Sequence, residues 1–187
     1  TAGSPPTSRT TQIIQAALRL FSTRTYASVS LEDIAAEVGI APSGLYNHFA
    51  SKADILASAQ RRGSGYLQTS LVDTMALHAD PRDCLIALVT DFAVFSHRHP
   101  FNTHTLITDQ RNLAPEVRAQ LARDQRDFQG EWVHLYLKLH PESAPVEALI
   151  AVQTITVALA FLAVNPLVRR ARDGAGVLAT IALAALD

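Results

Sequence analysis

Apolar residues recur along this chain at steps of three and four from Ile13 to Ile181, and no stretch alternates as a strand would. Ile13, Ala17, Leu20 and Phe21 predict a first helix from about Thr10 to Arg24. Leu31, Ile34, Ala35 and Val38 predict a second, of about two turns. Ser30 precedes it and Asp33 stands three places on, the pattern of a capped helix start. Gly39 follows the last periodic residue, where a left-handed conformation stops a helix, and Pro42 carries the fixed φ suited to a first helical position. The turn is then Gly39 to Ala41, the length of a helix-turn-helix connection.

The third helix, read from Pro42 to about Phe49, turns Leu45 and Phe49 inward and leaves Ser43, Gly44, Tyr46, Asn47 and His48 outside. Small and hydrogen-bonding residues suit a helix pressed into a major groove. Gly44 permits close approach, Ser43 and Tyr46 can reach phosphate oxygens, and Asn47 and His48 can reach base edges or phosphate. Ser51-Lys52-Ala53-Asp54 opens another helix with a second capping signal. A cation gains nothing from a helix N-terminus, so Lys52 is expected to face an external phosphate.

The remainder predicts helix after helix. The one after Ser51 meets Gly63 and Gly65, which could break or bend it before it resumes toward His78. Others run from Asp80-Pro81 to before Pro100, from Phe101 to Asp109, and from Ala114-Pro115 to Leu139. Two very apolar helices end the chain, Ala144 to Val164 and Leu167 to Leu186, separated by Asn165-Pro166. The fold class expected is all-α: an N-terminal three-helix helix-turn-helix domain (residues 9–51) and a C-terminal helical ligand-binding and dimerisation domain (52–187), with residues 1–8 a disordered arm.

Residues 9 to 56 resemble the DNA-binding domain of the TetR family of bacterial transcription regulators. The match runs through Ala17-x-x-Leu20-Phe21, then Ser30-Leu-Glu-Asp-Ile-Ala-Ala-Glu-Val-Gly-Ile40, then Pro42-Ser-Gly-Leu-Tyr-x-His-Phe-x-Ser-Lys52. The resemblance implies a regulator, most often a repressor, that binds double-stranded DNA at a palindromic operator through Ser30, Pro42, Ser43, Gly44, Tyr46, Asn47, His48 and Lys52. It implies that a ligand entering the C-terminal domain moves the helix beginning at Lys52 and releases DNA. It also implies a homodimer through the last two helices. The residues agree, because Val152, Ile155, Leu159 and Ala163 on one helix and Val177 and Ile181 on the other exceed a single buried face. The alternative is that they fill one protomer's core.

Length and composition change this picture little. The chain has 187 residues, 48% of them hydrophobic and 18% charged, enough for a sizeable core. Its net charge of −1 lacks the basic footprint of many DNA binders. Residues 1–65 carry six Lys or Arg against four Asp or Glu, and residues 66–187 ten against thirteen. DNA affinity therefore has to come from few phosphate contacts per protomer, doubled by dimerisation. Cys84 is the single cysteine, expected to be a small buried hydrophobe. No basic segment precedes an apolar one at the start, and the run from Ala148 to Val164 is short and interrupted by polar residues. A cytoplasmic protein without a membrane span is expected.

For the effector, Phe92, Phe95, Phe101, Phe128, Trp132 and Tyr136, with His99 and His104, could line an apolar cavity, or the aromatics could simply be core. Thr108 to Arg126 is similar to a stretch in regulators of fatty-acid or steroid breakdown that sense acyl-CoA. That likeness implies an acyl chain in an aromatic tunnel and phosphates on Arg111, Arg118 and Arg123. A drug-like or other hydrophobic effector is the alternative. His97, His99 and His104 are interrupted by Pro100 and lack supporting Cys or carboxylate ligands, so no metal is expected. No cofactor is expected, and no phosphate loop, nucleophile elbow or paired carboxylates argue for an enzyme. An adaptor of the same fold that binds protein in place of DNA is a further alternative, disfavoured by the polar face of Ser43, Asn47 and His48, with Lys52.

Overall fold

Nearly every helix start carries its own stop for the orphan N–H groups. Ser8, Ser30, Ser51, Asp80, Asn165 and Asp173 accept backbone N–H bonds as caps, and proline opens six helices. The computed structural model describes residues 8–186, so all of the expected N-terminal arm except Ser8 lies outside the described residues. These form α1 (Arg9–Thr23), α2 (Leu31–Val38), α3 (Pro42–Tyr46), α4 (Lys52–Leu77), α5 (Pro81–Arg98), α6 (Pro100–Thr108), α7 (Pro115–Leu139), α8 (Pro145–Ala163), α9 (Pro166–Arg170) and α10 (Gly174–Ala184). Two short 3₁₀ turns, Tyr26–Ser28 and Gln110–Asn112, complete them, with no strand among the described residues. The all-α expectation holds.

Three boundaries differ from the sequence pattern. The third helix ends at Tyr46, because its last turn tightens: His48 N donates to Leu45 O at 2.9 Å, a three-residue step. The helix opened by Ser51 runs unbroken through Gly63 and Gly65. Gly63 is required for close packing there, since a Cβ would lie 2.5 Å from Asn102 Oδ1. The last expected helix is two, α9 and α10. Ala171 is extended (φ −62°, ψ 140°) and Asp173 Oδ1 accepts from Gly176 N at 3.0 Å, starting a new helix.

Two apolar cores result. Ile13, Ala17, Phe21, Val29, Ile34, Leu45 and Phe49 pack with Ile55, Leu56 and Ala59 from the start of α4, and Leu113 and Leu121 join them. Leu67 and Leu71, further along α4, pack with Leu88, Phe92, Phe128, Trp132, Val152, Leu159 and Leu178. Cys84 is buried there too, and burial raises its thiol pKa. α8 is long and apolar enough to cross a membrane by length and composition, but Ala148, Val152, Ile155, Leu159 and Ala163 on one of its faces are all buried, the last four within this core.

Between the cores, α4 meets α6 through buried amides. Asn102 Nδ2 donates to Ala59 O (2.9 Å), and Gln60 Nε2 donates to Thr105 Oγ1 (2.9 Å) and, more weakly, to Asn102 O (3.4 Å). Gly63→Ala has to displace the Asn102 amide from Ala59 and is expected to cost about 1–3 kcal/mol, as an unmade buried hydrogen bond does. Gly65→Ala, two residues on with open space at its Cβ, is expected to stabilise by up to about 1 kcal/mol on helix propensity. Chemical denaturation of the two variants should therefore shift in opposite directions.

Candidate nucleic-acid interface and effector cavity

The helix-turn-helix is built as the periodicity requires. Ser30 Oγ accepts from Asp33 N (3.0 Å) while Asp33 Oδ2 accepts from Ser30 N (2.9 Å). These bonds from the Ser30 backbone and hydroxyl hold the Asp33 pKa below the ordinary carboxylate value. The box thus contributes stability above that ordinary value and loses it as pH falls through the depressed one. Gly39 sits at φ 72°, ψ 38°, and turns the chain into α3 at Pro42. Leu45 and Phe49 are buried, whereas Pro42, Ser43, Tyr46, Asn47 and His48 are exposed. A Cβ on Gly44 would meet nothing within 4 Å, so the fold itself does not need glycine there. His48 Nδ1 lies 3.3 Å from Thr10 Oγ1, which joins the end of this face to the start of α1.

Two residues expected to face DNA are occupied within the domain. The Ser30 hydroxyl is the cap just described. Lys52 differs more. Its Nζ donates to the carbonyls of Tyr26 (2.9 Å) and Val29 (2.5 Å) and stands 4.6 Å from the Tyr26 ring centroid. The ammonium caps the 3₁₀ turn instead of projecting outward. The Lys52 chain is long enough to fold back across the loop, and carbonyls with an aromatic face satisfy a cation as a phosphate would. Sequence spacing gave no sign of this, because the partners are backbone groups 23 and 26 residues away.

The aromatic set does not line one cavity. Phe92, Phe128 and Trp132 pack on each other, with Trp132 fully buried and edge-on to Phe92. Phe92 and Phe128 border a small cavity of about 60 Å³ that also touches Leu67, Leu106, Ile107, Thr156 and Ala160. Gln129 Nε2 donates to Thr156 Oγ1 (3.1 Å) at its wall, and Asp124 accepts from Ser64 (2.8 Å). Phe95, His99 and Phe101 instead border a cleft of about 1010 Å³ on the other side of α4 and α6. His104 meets Phe161 edge-on and Tyr136 stacks on His140. The residues sit at helical spacing, but the spacing does not say which face meets which neighbour.

Arg111, Arg118 and Arg123 are exposed and border neither space; Arg123 donates to Gln120 (2.6 Å). The three histidines diverge. His97 packs where a Gly174 Cβ would lie, His99 tilts on Phe95, and His104 faces α8. Burial, then Arg98, lowers the His99 pKa; burial lowers that of His104 against an opposing pull from Asp109.

The expected contact face between copies is also corrected. Val152, Ile155, Leu159 and Ala163 are buried inside the protomer, with α8 packed on α6 and α7. Val177 and Ile181 are half exposed, as expected. Beside them on α8 the outward residues are Ile150, Val157 and Phe161, 41–58% exposed. The heptad-like run is apolar on both faces, so pattern alone could not tell inside from outside.

Residues 13–59 match the family model described as bacterial regulatory proteins, tetR family. The whole chain is similar in fold to a TetR-family transcriptional regulator from Bordetella parapertussis 12822, at a TM-score of 0.81, 18% identity, and 95% and 91% coverage of the two chains. It is similar to the ketosteroid transcriptional regulator KstR2 of Mycobacterium tuberculosis, at 0.80, 18%, and 100% and 97%. It is also similar to AibR in a complex with isovaleryl coenzyme A and operator DNA, at 0.72, 18%, and 92% and 95%.

Lys52→Ala is expected to lower the stability of the DNA-free protein by about 1–3 kcal/mol, the range for losing charged hydrogen bonds. A thermal melt of the free protein reads this directly, and an unchanged midpoint would return Lys52 to the solvent face.

Proposed function

We propose, from the match of residues 13–59 to the family model described as bacterial regulatory proteins, tetR family, that this chain is a ligand-responsive DNA-binding transcriptional regulator. It acts as a repressor, holding a palindromic operator as a homodimer and releasing it when an apolar effector binds. The observation that carries the reading is the exposed face of α3. Ser43, Tyr46 and Asn47 project around Gly44, whose Cβ position is open space. A glycine with no internal reason to be one suits a helix whose backbone lies against a groove. Lys52 and Ser30 support that face from behind by fixing the loop and the start of α2.

One short helix contacts too few base pairs to select a site, so two must act about 34 Å apart. The outward residues of α8 and α10 supply the contact between copies. Ile150, Val157, Phe161, Val177 and Ile181 are each 41–58% exposed on neighbouring helices. That much aliphatic and aromatic surface side by side is what an obligate interface buries.

The effector enters between α4, α6, α7 and α8, at the cavity beside Phe92 and Phe128. At about 60 Å³ it is far below the roughly 300–1,000 Å³ of ordinary ligand pockets. A ligand there has to part these helices, and α4 carries the movement to the DNA-binding core because its first turns are part of that core. The walls are mainly apolar and Asp124 is the one acidic residue that lines them, so a small neutral hydrophobic molecule fits best. A second reading, a short acyl group carried by coenzyme A, is supported by the likeness to AibR, whose structure holds isovaleryl coenzyme A and operator DNA.

Genomic fragments selected at low salt, then challenged with hydrophobic compounds and with acyl-CoA thioesters, test the proposal. A palindrome released by one compound is the expected result; no selected DNA at low salt overturns the reading. Gly44→Leu is expected to leave the melting midpoint within a few degrees and to weaken operator binding at least about tenfold, since a close groove contact is worth roughly 1–3 kcal/mol. Phe161→Glu combined with Ile181→Glu is expected to give monomers by light scattering and to lose the palindrome with them.

A further inference from the structure

The cleft on the far side of α4 and α6 takes no part in that reading, and its charge is unlike that of the chain. The protein carries a net −1, yet Arg9, Arg19, Arg62, Arg98 and Arg169 border this one space of about 1010 Å³, against the single carboxylate of Glu37. Arg19 and Glu37 pair with each other. None of the other four arginines has a carboxylate partner among the described residues. Arg9 donates to Gln12 Oε1 (2.9 Å), Arg62 to Thr11 Oγ1 (3.2 Å), and Arg169 lies over the Phe101 ring at 4.9 Å. The Arg98 guanidinium has no hydrogen-bond partner among the described residues.

These guanidinium groups come from α1, α4, α5 and α9, so the folded arrangement and no local run of sequence concentrates them. Like charges in one concave space raise the potential there by several kT and cost stability while nothing compensates them. Planar forks that bond in pairs select phosphate oxygens. The walls add a second recognition element. Tyr66 stacks on Phe95 (5.1 Å between centroids, 18° between planes) and remains 49% exposed, which leaves ring surface open for another aromatic group. Phe101, under Arg169, forms a second aromatic and cationic step.

We propose that this cleft is a binding site for a nucleoside di- or triphosphate, with the phosphates on Arg62, Arg98 and Arg169 and the base on Tyr66. Its volume is that of a full ligand pocket, unlike the small cavity behind α6. The cleft is bounded by α1 and α2 on one side and by α5, α6 and α9 on the other, so a ligand in it ties the DNA-binding core to the rest of the chain. The site stands independently of operator recognition, because binding is measured without DNA.

Isothermal titration of the full chain with ATP at about 50 mM salt tests it, with adenosine and inorganic pyrophosphate as arms lacking the charge and the ring. ATP is expected to bind at one site per protomer and more tightly than either fragment. Arg98→Glu and Arg169→Glu are each expected to weaken it about tenfold or more, as the loss of a charge-assisted phosphate contact does. Arg111→Glu and Arg123→Glu make the same charge change away from the cleft and are expected to alter it by less than about twofold, on screening at that distance. Arg98→Gln, confirmed folded by its helical circular dichroism, guards against a reversal that unfolds the chain. Absence of ATP binding, or equal weakening by the four charge reversals, overturns the proposal. So does displacement of ATP by a non-operator duplex whose own binding falls with Arg98→Glu, which assigns the cleft to the DNA backbone.

Discussion

The junction of α4 with α6 is the constraint on which the rest depends. The first turns of α4 are part of the core that positions α3, and Leu67 and Leu71 further on are part of the other core. A 26-residue helix spans about 39 Å, so a tilt at one end is a displacement at the other. The two cores meet where Gln60, Gly63, Asn102 and Thr105 are packed and hydrogen-bonded out of water. Buried amides tolerate few arrangements, because a bond lost there is not replaced by solvent. The junction therefore moves as a unit or not at all. It also lies between the cavity beside Phe92 and the basic cleft, both of which α4 itself lines, through Ser64, Leu67 and Gln68 on one side and Ala59, Arg62 and Tyr66 on the other.

Lys52 makes the complementary point at the end of α4. An ammonium on its first helical residue would be electrostatically misplaced if it lay beside the N–H groups. It instead reaches the carbonyls of Tyr26 and Val29 and the Tyr26 ring. The start of α4 is thus fastened to the loop before α2. That fastening joins α4 to the helix-turn-helix at a point away from the turn at Gly39.

Local signals were legible in the sequence wherever the physics is local. Capping at Ser30 and Ser51, the left-handed Gly39 and proline at the first position of α3 each act over three or four residues, and the expected elements follow them closely. What the pattern could not resolve was facing. The apolar residues of α8 surround the helix, so periodicity assigned Val152, Ile155, Leu159 and Ala163 to a surface between copies, whereas the fold buries them and turns Ile150, Val157 and Phe161 outward. The aromatic residues from Phe92 to Tyr136 failed as a single lining for the same reason: Phe92 and Phe128 border the small cavity, whereas Phe95, His99 and Phe101 border the cleft. The break at Ala171 was readable in principle, from Asp173 followed by two glycines, but the apolar residues on both sides suggested continuity.

Charge shows the limit of reading by composition most clearly. A chain at net −1 gives no electrostatic reason to expect an anion site, and counting by halves moves the balance by only a few charges. Arg9, Arg62, Arg98 and Arg169 are far apart in sequence and come together only when α1 crosses α4 and α6 and when α9 closes over Phe101. Potential depends on position, not on the sum, and falls within about 10 Å at ordinary salt. Acidic residues elsewhere, such as Asp91 bonded to Ser70 and Thr74, therefore balance the total without neutralising the cleft. A protein can be nearly neutral overall and still hold a concentrated positive field in one cleft of its fold.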